Sequence, residues 1–260
     1  VKSEVDPLAE KYPAWSPYNY VMNNPLRMVD PDGKEICLVY DKDKKTCSQA
    51  YKAGMDTEQF KDNKDLYNFV VGLNTLYNID IGKEVINTLV KSKERYQFSS
   101  EVSPQGAYAF AGGSDTFYMG GLGNEPMDSP RFEKIGHELF HAYQRDHIGN
   151  AFAQGIDIEV EACLYGYLIT DRLSKDNELS IETLKGRDAS DISLDYNESM
   201  NDLLRSFHSK KPFPMEGFNT AVRSFKEGSK QMGVYVNFME FTYTQTRIPV
   251  ISNLYKGVKR

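Results

Sequence analysis

The sequence predicts one α+β domain behind a short leader, and three observations carry that expectation. Short β-type segments separated by turn residues crowd the first half of the chain. Helical apolar spacing dominates the second half. A His-Glu-x-x-His run, His137-Glu138-Leu139-Phe140-His141, sits on one of those helical segments.

In chain order, residues 1–33 are rich in Pro, Asn, Asp and aromatic residues with no sustained period, which reads as turns and short extended pieces. Glu35–Tyr40 and Thr46–Tyr51 read as a hairpin around Asp41-Lys42-Asp43-Lys44. Thr57–Tyr77 reads as a helix through Phe60, Leu66, Phe69, Val70, Leu73, Leu76 and Tyr77, and a shorter helix follows at Lys83–Ser92. Tyr96–Val102, Ala107–Ala111 and Thr116–Met119 read as strands, the last two joined by Gly112-Gly113-Ser114-Asp115. Ser129 as N-cap and Pro130 as first helical residue open the next helix, and Gly149 is its expected stop. A second apolar helix is expected around Asp157–Ile169, with further helices at Glu198–Phe207, Glu216–Lys226 and Gln231–Thr242.

Composition narrows the class. Of 260 residues, 40% are apolar and 26% charged, enough for a core and ordinary for a water-exposed surface. The length after the leader suits one domain. No run of about eighteen apolar residues is present, so no membrane span is expected. The net charge of −6 argues against a nucleic-acid partner, and the 17 Tyr and 14 Phe are not interleaved with a basic stripe. Three cysteines are too few for a disulfide framework; Cys37 and Cys47 either pair across the hairpin or remain reduced.

The motif has a mechanical meaning. Residues i and i+4 of a helix differ by about 40° around the axis, so both imidazoles point one way and can share a metal ion. Phe132, Ile135, Leu139 and Ala142 form an apolar stripe roughly opposite the histidines, so the helix can bury its back while offering both rings to a cleft. Glu138 is placed to act on a water rather than to bind the metal. Catalytic zinc usually takes three protein ligands. His147 stands six residues after His141, the spacing of the zincins that extend the motif through a glycine turn, but here Gln144 occupies the glycine position and favours continued helix.

From His137 to the following helix, Asp157-Ile158-Glu159-Val160-Glu161-Ala162, the residues resemble the gluzincin branch of zinc metallopeptidases. The resemblance implies a zincin-like domain with a small sheet, an edge strand beside the active-site helix and a mainly helical C-terminal part. It implies one zinc held by His137, His141 and Glu161, the glutamate twenty residues past the second histidine, with Glu138 as general base. Glu159 is the alternative third ligand. In zincins the strand before the motif helix, here Thr116–Met119, borders the cleft and offers its free edge to an extended peptide. His208, Tyr165, Tyr167 and Tyr235 are candidates to stabilise an oxyanion, and Tyr165 stands where some gluzincins carry an aspartate behind the ligands.

Residues 6–33, with Asn24-Pro25-Leu26 and Asp30-Pro31-Asp32-Gly33, resemble the end of the core of Rhs/YD-repeat polymorphic toxins, where a β-shell gives way to a variable C-terminal effector. This implies two parts: the tail of that core over 1–33, and an effector over 34–260. It also implies export as part of a larger bacterial protein, a protein or peptide substrate, and a cognate immunity protein. Two alternatives stand beside the peptidase: an inert binding or structural module, and a zinc hydrolase of a non-peptide amide.

Overall fold

The computed structural model describes residues 35–41, 43, 45–103, 108–124, 126–149, 155–173, 194–209, 212–232 and 249–257. The expected leader, Tyr235 and most of the expected helix Gln231–Thr242 lie outside the described residues. Within them the chain is α+β, with five short strands and a larger helical part.

Strands β1 (Ile36–Asp41) and β2 (Thr46–Ala50) form the expected hairpin, closed across by a Cys37–Cys47 disulfide with a Cα–Cα distance of 5.7 Å. With β3 (Tyr96–Ser99), β4 (Ala109–Ala111) and β5 (Thr116–Tyr118) they make one sheet in the order β2-β1-β3-β5-β4. β1, β3 and β5 run parallel, while β4 lies antiparallel to β5. The strand at Thr116 is therefore interior, held by β3 on one side and β4 on the other, and the edge near the motif helix belongs to β4. That corrects the expectation that the Thr116 strand borders the cleft. Sheet order is fixed by nonlocal pairing, which no local pattern encodes.

The helix expected from Thr57 is interrupted. A 3-10 turn covers Glu58–Phe60, and α1 (Lys64–Tyr77) begins only after Asn63, whose extended backbone lets its side chain accept from the Leu66 N–H. Asn competes for backbone donors better as a cap than as a helix interior residue. α2 (Asp80–Lys91) follows almost at once.

The motif helix is α3 (Ser129–Ile148). Its N-cap is Asp128, one residue before the expected Ser129, with the carboxylate accepting from the Arg131 N–H; Pro130 falls in the first turn. It stops at Gly149, whose φ of 64° is a conformation glycine adopts without strain. The stripe residues Ile135, Leu139 and Ala142 are fully buried, and α3 touches α1, α2, α4 and β4. Next come α4 (Ile156–Leu173), α5 (Leu194–His208), α6 (Met215–Met232) and a short α7 (Ser252–Gly257). No helix among the described residues is long and apolar enough to cross a membrane.

α3 and α4 are antiparallel: Glu133 meets Thr170, Gly136 meets Ile169, and Gln144 meets the Ile158 carbonyl. Two glycines let them approach. A Cβ on Gly136 would lie 3.1 Å from Ile169 Cγ1, and one on Gly166 would lie 2.9 Å from Glu133 Cγ. The sheet side of the core is aromatic, with Phe117 between Phe69, Tyr96 and Phe110 at centroid distances of 5.1–6.2 Å. Burying a ring such as Phe117 stabilises by about 1.5–3 kcal/mol.

Candidate metal centre

The i and i+4 spacing on α3 brings the two imidazoles edge-on, with ring planes at 87° and Nε2 atoms 3.0 Å apart. α4 lays a carboxylate against them. Glu159 Oε2 lies 3.4 Å from His137 Nε2, and Glu159 Oε1 lies 3.5 Å from His141 Nε2. One donor atom from each of the three side chains falls within 4.8 Å of the others.

Donors at about 2.0–2.2 Å from a tetrahedral ion are separated by about 3.3–3.6 Å from one another. The carboxylate contacts at 3.4 and 3.5 Å match that spacing, and the two Nε2 atoms at 3.0 Å are somewhat closer than it. Two imidazole nitrogens and a carboxylate are also an established donor set for catalytic zinc. The three side chains keep only 21%, 9% and 13% of their surface exposed, so their field acts in a poorly solvated pocket.

Glu161, the expected ligand, is elsewhere. Its side chain is fully buried, and its Oε2 accepts the Ile251 N–H at 2.9 Å, pinning the segment that leads into α7. Two residues along a helix turn the side chain by about 200°, so Glu159 and Glu161 face opposite ways. The glutamate at the histidines is the alternative, Glu159. His147 is not at the site: α3 continues helically through Gln144, and the exposed ring sits 2.8 Å from the Tyr143 carbonyl through Nδ1.

Glu138 is 8% exposed, and its Oε2 accepts the Phe110 N–H of β4 at 2.7 Å. Burial raises its pKa, against the lowering effect of His137, His141 and that N–H, while Glu159 adds to the rise. Glu159 moves the other way: burial alone would raise it, but both histidines hold the carboxyl well below its usual range. Burial alone would lower His137, yet the Cys163 thiol, Glu159 and Glu138 outweigh it and hold the ring well above its ordinary 6.5.

Two neighbours of the ligands went unnoticed in the sequence. Cys163 stands four residues after Glu159 on α4, the same spacing as the two histidines, and it is among the groups that raise His137. Gln144 is fully buried, with Oε1 at 2.9 Å from His141 Nδ1 and Nε2 donating to the Ile158 carbonyl at 3.0 Å. The spacing signalled the first. Gln144 carried a signal too, since a polar residue one turn beyond a ligating histidine is placed to touch its ring.

Of the oxyanion candidates, Tyr165 is buried against Phe140 and donates to the Ile81 carbonyl at 3.4 Å, a packing role. His208 pairs with Asp171 at 2.9 Å. Asp171 is twelve residues beyond Glu159 on α4, about 18 Å along the axis, so His208 does not reach the histidines. Burial, with Cys163 and Tyr167 adding to it, pushes the Tyr196 hydroxyl well above its ordinary range, which places Tyr167 beside Tyr196. Arg145 ties the turn between β4 and β5 to α3 through the Gly112 carbonyl at 3.3 Å and Asp115 at 3.6 Å.

The chain matches no protein-family model, no curated protein and no solved structure.

Proposed function

We propose that this chain is a zinc-dependent endopeptidase with a zincin-like fold, and that it serves as the C-terminal toxin of an Rhs-type polymorphic protein. The observation that carries the enzyme reading is the cluster of His137, His141 and Glu159, in which the two Nε2 atoms lie 3.0 Å apart and each faces its own oxygen of the Glu159 carboxylate at 3.4 or 3.5 Å, beside a buried Glu138. An antiparallel edge strand against the motif helix supports the zincin-like arrangement. The toxin reading rests on the resemblance of residues 6–33.

His137 and His141 through Nε2, and Glu159 through its carboxylate, would hold the ion. Zinc bound there would supply Lewis-acid chemistry, polarising a carbonyl and making a water acidic near neutrality. Glu138 accepts the proton of the attacking water and delivers it to the leaving amine. The Phe110 N–H holds Oε2, and Oε1 is the oxygen that would carry the proton. Burial, by raising Glu138, moves the base towards a pKa suited to giving the proton back.

One observation favours a second reading. The N–H by which β4 would pair with an extended peptide at Phe110 is already taken by Glu138, which weighs against a peptide laid along that edge and so favours an inert module or a hydrolase of non-peptide amides.

Digestion of a peptide library by the zinc-loaded chain separates the two. Wild type is expected to cleave, and Glu138→Gln to keep zinc while losing hydrolysis by about 10²–10⁴-fold. Cleavage undiminished in Glu138→Gln contradicts the mechanism. No cleavage by wild type, with zinc bound, favours the inert module or a hydrolase of non-peptide amides.

A further inference from the structure

The Gln144 side chain meets one ligand-bearing element with each of its two ends. Its Nε2 points at the Ile158 carbonyl, an acceptor only, so this end of the amide is the NH2 group. The opposite end, Oε1, is then an acceptor, and the His141 Nδ1 that faces it at 2.9 Å must carry a hydrogen. A neutral imidazole has one N–H. With that hydrogen on Nδ1, the bare nitrogen of His141 is Nε2, the atom turned towards His137 and Glu159.

We infer that Gln144 is a positioning residue for the metal centre: its buried amide fixes His141 in the Nδ1–H tautomer and locks the ring to the α4 backbone beside Glu159. Ile158 immediately precedes Glu159, so a single side chain sets the orientation of a ligand on α3 and the register of the backbone carrying a ligand on α4. Complete burial makes the arrangement strict, since no water replaces either partner, and leaving a buried donor or acceptor unmatched is costly. A ligand ring held by a hydrogen bond from its other nitrogen loses little freedom on binding metal, and loss of such a partner typically lowers metal affinity about 10–100-fold.

The consequence for zinc rests on the metal reading above, whereas the tautomer does not. Two measurements on the full chain therefore test them apart. Long-range proton–nitrogen NMR of the metal-free protein, at a pH alkaline enough for the imidazoles to be neutral, reads which nitrogen of His141 keeps its hydrogen. Nδ1–H is expected in wild type, and an Nε2–H ring in wild type overturns the inference outright. Gln144→Leu, similar in size but with neither donor nor acceptor, should release the ring towards Nε2–H. Gln144→Glu keeps the acceptor and should keep Nδ1–H. Thr170→Val, which removes a different hydrogen bond across the same helix pair, should leave the tautomer alone. Zinc titration against a competing chelator should give about 10–100-fold weaker binding for Gln144→Leu and a smaller loss for Gln144→Glu, which keeps the acceptor for Nδ1–H but not the donor to the Ile158 carbonyl. A folded Gln144→Leu that keeps Nδ1–H and full zinc affinity would reduce Gln144 to packing. If wild type binds no zinc, the metal reading fails while the tautomer result still stands or falls alone. If Gln144→Leu does not fold, the wild-type and Gln144→Glu tautomers decide.

Discussion

Glu159 and Glu161 differ in what their carboxylates meet: two imidazoles in one case, a buried backbone N–H in the other. The two should answer differently to truncation. Glu159→Ala removes a donor from the cluster, and zinc affinity should fall by more than the roughly 100-fold that bounds the loss of an outer partner. Glu161→Ala should leave zinc affinity within a few-fold while costing about 1–3 kcal/mol in urea unfolding, because the buried Ile251 N–H loses its acceptor. His147→Ala, exposed and turned to its own helix, should change neither. Zinc titration alongside denaturation of the three variants checks the ranking. If Glu161→Ala alone abolishes zinc binding, the ligand assignment is wrong.

The α3–α4 pair is the element on which everything else depends, and its close packing through Gly136 and Gly166 sets how the ligands face each other. Gly136→Val would force a branched side chain into Ile169 and should destabilise the protein by about 1–3 kcal/mol through overpacking. It should also weaken zinc binding, since parting the helices parts Glu159 from the histidines; unchanged zinc affinity in a destabilised Gly136→Val would dissociate helix spacing from the centre. The same pair shows what could be read locally. The body of α3 and its stop at Gly149 followed from its stripe, Pro130 and the glycine, and the shared face of His137 and His141 followed from helical period alone. The choice between the glutamates did not. α4 is buried nearly all round, from Ile156, Ile158 and Val160 to Leu164, Tyr165, Leu168 and Ile169, so its sequence carries no polar face to mark which side meets α3. The edge position of β4 was equally hidden, because it depends on pairing among strands distant in sequence.

At the scale of the molecule, the centre should make stability depend on pH in opposite senses with and without metal. In the chelated protein His137 is raised above 6.5, so its contribution is complete below that value and lost as pH rises through the folded pKa. Glu159 is depressed below 4.5, so its contribution is present above that value and lost as pH falls. Zinc reverses the alkaline limb, because ligation requires unprotonated rings. The gap in Tm between zinc-saturated and chelated protein should therefore widen from about pH 5.5 to about pH 8; a constant gap would place the ion elsewhere. In a living bacterium, expression of residues 34–260 in the compartment that holds the target should be harmful, with Glu138→Gln removing the harm. Equal harm from both would mean that toxicity is not proteolytic. The most direct test of the whole account is the metal content of chain purified without chelator, reconstituted with zinc at neutral pH and freed of excess. The expected result is about one zinc per chain, lost in His137→Ala, His141→Ala and Glu159→Ala and kept in Glu161→Ala. Wild type that retains no zinc, or retains it undiminished in all four variants, would contradict it.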